Sequence, residues 1–216
     1  YDEGEKIAYH ILAESIRRNS SEPVSITPLC LSNIPDFTRE KQDNQSTDFA
    51  FSRFMVPYLR SYTGYSIFMD CDMMFRGDIA ELWKMRNYLY TVKCCKHNYV
   101  PKQTVKFRGA KNEAFPKKNW SSFMMFNNSL CHKLTLDYVN NASGLDLHQF
   151  KWCANEDAIG DIPLEWNWLV GEYEYNHNAK NVHWTLGGPY FEEYARSDYA
   201  DEWFRLYYET TRIDLK

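Results

Sequence analysis

The sequence predicts an α/β domain with a central, mostly parallel mixed sheet flanked by helices, and three observations carry that reading. The apolar runs "YSIFMD", "YLYTVKCC" and "SSFMMFN" have strand length and end at polar or turn-forming residues, as strands covered on both faces do. Segments with apolar residues at helical spacing alternate with them. The 216 residues suffice for one sizeable core, so residues 1–216 are read as a single domain.

In "EGEKIAYHILAESIRRNSS" the residues Ile7, Ala8, Ile11, Leu12, Ser15 and Ile16 recur at helical spacing before Asn19-Ser20-Ser21 stops them, which predicts an early helix. A domain of this type opens with a strand feeding that helix. Only Tyr1 and Asp2 precede it here, so the first strand is expected to have been trimmed before Tyr1. "PVSITPLCL" alternates like a strand, "SNIPDFTREKQDNQS" reads as a polar loop, and "TDFAFSRFMVPYLRSYTG" reads as a helix despite Pro57. Asp78, followed three residues later by Glu81, has the pattern of a helix N-terminal cap. A basic polar loop, 96–118, separates the next two strands. "CHKLTLDYVNNA" reads as a helix, Val182-His183-Trp184 as a short strand, and "DYADEWFRLYYETTR" as a terminal helix.

A formal net charge of −4 and the lack of long Lys or Arg runs argue against a nucleic-acid-binding surface. Aromatics reach 17%, which fits either an aromatic core or a cleft that stacks on sugar rings. The six cysteines contain no C-x-x-C pair, so free thiols are expected rather than a zinc site or a disulfide framework. Sequons stand at Asn19, Asn44, Asn119, Asn127 and Asn141, and two of them flank an apolar strand-like run where a glycan would interfere. Together with the absence of a signal peptide or a membrane segment in this chain, this favours a cytoplasmic location.

Asp70-Cys71-Asp72 follows directly on the apolar run of "YSIFMD". An unpaired buried carboxylate costs several kcal/mol, so a cation, a hydrogen-bond cage or a solvated cleft should accompany this pair. In extended backbone residues i and i+2 share a face, which lets Asp70 and Asp72 converge on one hard divalent ion, with Cys71 turned to the core. Two carboxylates with few further ligands suit Mn2+ or Mg2+ and leave positions open for phosphate oxygens. The bland alternative is a pair of solvated turn carboxylates.

The apolar strand, the D-x-D and the acidic helix after it together resemble the nucleotide-sugar glycosyltransferases of GT-A fold, and further segments resemble family 8, the retaining enzymes. The order of these segments agrees from Tyr1 to about Phe191. "FAFSRFMVPYL" stands where that family has an Arg-bearing helix, "NWSSFMMFN" brings small residues Ser121 and Ser122 to a strand entry, and "WCANEDAIGD" supplies an amide and acids. "HWTLGGPYF" brings a His before a Gly-Gly turn.

The resemblance implies a UDP-sugar donor, UDP-glucose first, a glycan or glycoprotein acceptor, and transfer with retention. It implies a metal held by Asp70, Asp72 and His183. The donor would be bound by Tyr1, Asp2, Arg53, Asp70, Cys71, Asp72, Gly187 and Gly188, with Glu156 and Asp157 as catalytic acids. A chlorella-virus-type glycosylating domain, placed in the host cytoplasm, is a narrower resemblance. One departure stands out: the family's Lys after the last glycine is replaced by Pro189-Tyr190-Phe191, so another cation, such as Lys102 or Lys118, is expected to face the diphosphate.

Read from residues alone, His183 is equally a structural histidine, Asn155 to Asp157 a helix start, and Trp166 and Trp168 either a core strand or an acceptor platform. Two other functions compete. A haloacid-dehalogenase-like, Mg-dependent phosphohydrolase also places D-x-D after an apolar strand, and a non-catalytic nucleotide-sugar-binding module would keep the pocket without turnover.

Overall fold

The computed structural model describes residues 1, 3–39, 50–106, 109 and 112–212. Helix α1, Lys6–Asn19, buries Ala8, Ile11, Leu12, Ser15 and Ile16, the stripe its apolar spacing predicts. Ser15 joins this helix to the sheet behind it. Its hydroxyl donates to the Leu12 carbonyl at 2.7 Å and accepts from the backbone N–H of Phe75 at 2.9 Å.

Two sheets meet behind α1. The first holds β1 (Tyr65–Met69), β4 (Phe123–Asn127), β3 (Val92–Cys94) and β5 (Ile159–Asp161) in the order β1-β4-β3-β5. β4 runs antiparallel to β1 and β3, and β3 pairs parallel with β5, so three of the four strands point the same way. The second holds β2 (Met73–Phe75), β7 (Asn181–His183) and β6 (Trp168–Leu169) in the order β2-β7-β6, with β2 antiparallel to β7 and β6 parallel to it. Helices α2 (Val56–Leu59), α3 (Ile79–Trp83), α4 (Leu136–Asn141), α5 (Gly144–His148) and α6 (Ala200–Thr211) surround them. Every residue of β4 is buried, and each large apolar side chain there contributes about 1.5–3 kcal/mol.

Several expectations change. β1 is half-buried throughout rather than covered on both faces, because its one ladder is with β4 and it forms an edge of the sheet among the described residues. The segment 23–30 makes no ladder: its alternation suits a strand, but no described strand lies in register beside it. The helix read across Pro57 is a 3₁₀ turn, Ser52–Met55, followed by the single turn of α2, and the proline sits in that first turn, where its missing N–H does no harm. The start of that segment lies outside the described residues. "CHKLTLDYVNNA" yields α4, and α5 follows it, each helix capped by a hydroxyl, Thr135 and Ser143. Asp78 caps α3 by accepting from the Ala80 N–H, and it also accepts from Ser21. All six cysteines are free.

Candidate metal and nucleotide-sugar site

β1 ends at Met69 and β2 begins at Met73, so Asp70-Cys71-Asp72 is the bend by which the chain passes from one sheet to the other. Backbone bonds hold it at both ends. The Asp70 N–H donates to the Ser122 carbonyl at 3.0 Å, and the Trp184 N–H donates to the Asp72 carbonyl at 2.9 Å. Because β2 and β7 pair Met73 with His183, the imidazole arrives beside Asp72 through strand register. Ligand atoms from Asp70, Asp72 and His183 all lie within 4.8 Å of one another.

The 3₁₀ turn Ser52–Met55 delivers Arg53 to this bend. Its guanidinium is buried, with Nη1 3.2 Å from Asp70 Oδ2, Nη2 2.9 Å from Asp70 Oδ1, and a further 3.0 Å bond from Nη1 to the Ser121 carbonyl. One hydrogen bond to Oδ2 and an ion-pair contact with Oδ1 set the guanidinium across both carboxylate oxygens. Burial raises the Asp70 carboxyl above its ordinary range, against the pull of Arg53 and with the repulsion of Asp72 adding to the rise. Asp72 goes the other way: burial would raise it, but His183 and the more distant Lys106 outweigh that and hold it below the ordinary range.

His183 is oriented from behind. Its Nδ1 lies 2.9 Å from Asn167 Oδ1, while Asn167 Nδ2 reaches His97 Nε2 at 3.0 Å and donates to Ser122 Oγ at 2.9 Å. His97 Nδ1 in turn meets the Tyr173 hydroxyl at 2.8 Å. Burial pushes His97 down to about 3, so it is neutral and its Nε2 accepts from Asn167. The Asn167 carbonyl oxygen therefore takes the Nδ1 proton of His183, which turns the other ring nitrogen, Nε2, toward Asp72 Oδ1 at 3.3 Å. Either a proton on Nε2 or a divalent cation satisfies that face of the ring.

The donor set fits a divalent ion. Asp70 Oδ1 and Asp72 Oδ1 are buried atoms without a hydrogen bond, although Arg53 and His183 stand close to them in charge. Side-chain exposures of 17% for Asp70 and 21% for Asp72 leave the pair open on one side. Two hard carboxylate oxygens and one imidazole nitrogen, the latter braced by a buried amide, match Mn2+ or Mg2+ with open positions.

The other predicted site residues divide: Cys71 sits inside the bend with the Tyr1 amino group beside its thiol, whereas the two acids lie away from it. Glu156 pairs with Lys117 at 2.6 Å on the surface, Asp157 is exposed, and Asn155 accepts from the Ala158 N–H as a cap. Both acids stand at the start of β5, whereas Asp70 follows the end of the parallel strand β1, and neither joins the Asp70–Asp72–His183 cluster. Gly187 and Gly188 are buried, and a Cβ on them would lie 2.3 Å from the Tyr194 ring and 2.2 Å from the Tyr190 ring, so packing against aromatics accounts for both glycines. Tyr1 packs edge-on against Tyr9, and its nitrogen donates to the Leu29 carbonyl at 2.9 Å. Asp2 lies outside the described residues. Burial pushes the half-buried Cys71 thiol up to about 11.

Lys102 is exposed beside Glu174, and Lys118 donates to the Glu113 carbonyl, so neither reaches the acidic pair. Trp166 is a core residue, buried to 1% exposure. The residues around this cluster that sequence reasoning did not single out are Asn167, His97 and Lys106. A Trp-x-Trp alternation drew attention to Trp166 and Trp168, while the amide between them carried no signal of its own.

No known family profile matches the chain. In fold it is similar to the bifunctional glycosyltransferase WbbM, with a TM-score of 0.67 and 17% identity over 95% of this chain, which spans 48% of that protein. It is also similar to the galactosyltransferase LgtC in complex with donor and acceptor sugar analogs, at TM-score 0.63 and 8% identity, covering 100% of this chain and 96% of that one. The glycosyltransferase GlyE of Streptococcus pneumoniae follows at TM-score 0.59 and 12% identity, covering 99% of this chain and 59% of that one. The fold is thus the GT-A fold of family-8-type glycosyltransferases. In sequence the chain is 39% identical over 226 aligned positions to Protein CDI of Arabidopsis thaliana, across 100% of this chain and 87% of that protein. On that whole-length identity, with two sheets joined through an Asp-x-Asp bend, the chain belongs to the family of Arabidopsis Protein CDI.

Proposed function

We propose that this chain is a metal-dependent glycosyltransferase that takes a sugar from a UDP-sugar, UDP-glucose first, and passes it with retention to a glycan or glycoprotein hydroxyl. The observation that carries the reading is the convergence of Asp70, Asp72 and an Asn167-braced His183 beyond the carboxyl end of β1, where open α/β sheets bind ligands. LgtC, similar in fold, is a galactosyltransferase crystallised with donor and acceptor sugar analogs, which supports the substrate class.

A divalent ion held by Asp70, Asp72 and His183 would act as a Lewis acid toward the leaving diphosphate. Arg53 favours the charged form of Asp70 against burial and aims it, and Asn167 keeps the lone pair of His183 Nε2 directed at the same point. In a retaining transfer the leaving diphosphate oxygen takes the acceptor's proton on the same face of the sugar, so the reading needs no isolated carboxylate base and does not use Glu156 or Asp157. The phosphohydrolase alternative would need a carboxylate free to attack phosphorus. Asp70 accepts from Arg53 on Oδ2 with the guanidinium also beside Oδ1, and Asp72 faces an imidazole, so each carboxylate has a charged or basic neighbour where a nucleophile would need freedom to attack.

Calorimetric titration of UDP, UDP-glucose and competing nucleotides, with Mn2+ and in EDTA, tests the reading. Binding of UDP that depends on Mn2+ is expected; undiminished affinity in EDTA would overturn the metal-dependent site. Proton NMR of the first-formed glycoside reads retention, and an inverted anomeric coupling would reject it.

A further inference from the structure

A buried carboxylate, Glu172, ties residues 102 and 112 together. Glu172 accepts from the Lys102 backbone N–H at 2.9 Å and from Asn112 Nδ2 at 3.2 Å, and Asn112 closes the loop a second time with bonds to the Gln103 and Thr104 carbonyls, each at 2.8 Å. From this pinned base Lys106 extends inward. Its Nζ lies 3.2 Å from the hydroxyl of Thr185, two residues past His183, and that hydroxyl also lies 3.3 Å from Asn119 Nδ2. Thr185 is buried, so the ammonium is held on a fixed acceptor beside the candidate metal ligands.

Among the described residues Thr185 is the hydrogen-bond partner of Lys106, and an ammonium carries three donors, which leaves two for a ligand. Burial lowers the pKa of Lys106, while the negative charges of Asp72, Asp70 and Glu172 act to keep it protonated. Of the other cations, Arg53 is bound to Asp70 and the Ser121 carbonyl and Lys102 to Glu174, while Lys118 donates to the Glu113 carbonyl and feels the charge of Lys106. The turn after Gly188 offers no cation: the Tyr190 hydroxyl donates to Glu5, and its ring fills the space beside Gly188.

With Asp70 offset by Arg53, a divalent ion over Asp72 leaves less positive charge than a nucleotide diphosphate sugar brings negative. A second cation is needed on the ligand side.

We propose that Lys106, presented by the Glu172-pinned loop and steadied by Thr185, binds the diphosphate of the nucleotide substrate. The inference rests on the glycosyltransferase reading above and adds to it the side chain that meets the phosphates.

The test compares wild type with Lys106→Ala and Lys106→Arg by calorimetry, using Mn2+ alone, Mn2+ with UDP, Mn2+ with inorganic pyrophosphate, and uridine, with near-UV circular dichroism to confirm the fold. The expected result is about a 10- to 100-fold loss of UDP and pyrophosphate affinity in Lys106→Ala, with Mn2+ and uridine affinities unchanged and most of the loss restored in Lys106→Arg. UDP binding in Lys106→Ala within about twofold of wild type overturns the assignment of Lys106 and leaves the metal-dependent reading standing. If wild type with Mn2+ binds neither UDP nor pyrophosphate, both fall together. Should Lys106→Ala lose its native spectrum, the same comparison is made with Lys106→Met, which keeps the stem that packs in the site.

Discussion

The Nδ1 of His183 lies 2.9 Å from the side-chain oxygen of Asn167, and this one contact decides which ring nitrogen faces Asp72. Asn167 cannot turn its amide over, because its NH₂ is already used by neutral His97 and by Ser122. Replacing Asn167 with Leu should therefore weaken Mn2+ binding by about tenfold or more, the usual scale for losing the group behind a metal-bound histidine. Calorimetric titration of Mn2+ in the two proteins measures it, and equal affinities would show that the brace has no part in holding metal.

Asp70 and Asp72 should separate when each is changed to Asn. Both variants are expected to lose Mn2+-dependent UDP binding. Asp72→Asn should lower stability, since His183 and Lys106 favour its charged form in the fold, but by less than Asp70→Asn because no buried guanidinium is left without its partner. Asp70→Asn leaves the buried Arg53 guanidinium without its partner and should cost about 1–3 kcal/mol in urea denaturation. Equal midpoints for the two variants would contradict this division of roles.

Arg53→Ala should be a stability mutant as well as a binding mutant. Removing one partner of a buried ion pair leaves the other charge uncompensated, at about 3–5 kcal/mol, or less if Asp70 takes up a proton. A denaturation midpoint unchanged from wild type would show that the pair contributes only to the ligand site.

Acid should destabilise the fold between pH 6.5 and about 3. Burial pushes both His97 and His148 down to about 3 from an ordinary 6.5, and for His148 the neighbouring Arg53 and Arg39 add to the effect. In this window the unfolded chain binds more protons than the folded one, so stability is complete above pH 6.5 and falls as pH drops. The loss at pH 5 should be about 2 kcal/mol for each histidine. Urea midpoints at pH 7 and pH 5 for wild type and His148→Gln read it: the variant should lose less on acidification.

Glu156→Gln should change stability by less than about 0.5 kcal/mol, because its ion pair with Lys117 is exposed on the acid's side. It should also leave Mn2+ affinity unchanged. A clear loss of metal binding in this variant would place Glu156 nearer the site than the β5 topology does.

The Asp-x-Asp at the end of an apolar run was legible in the sequence because its signal is local, whereas Arg53 and His183 were picked out through the family resemblance. A carboxylate pair at the end of an apolar run announces an uncompensated charge, and α1, α6 and the buried strands follow from apolar spacing alone. The edge position of β1 and the unpaired stretch 23–30 were not legible, because a strand's burial depends on which neighbour bonds to it. Nor were Asn167, His97 and Lys106. An amide between two tryptophans, a lone histidine and one lysine among several carry no local pattern. Their roles arise when β6 pairs with β7, when β2 sets His183 beside Asp72, and when Glu172 closes a loop on residues 60 and 70 positions away. Covalent spacing determined which groups needed a cation; long-range pairing alone decided which distant side chains would hold, orient and neutralise it, since hydrogen-bond register and charge act through space and not along the chain.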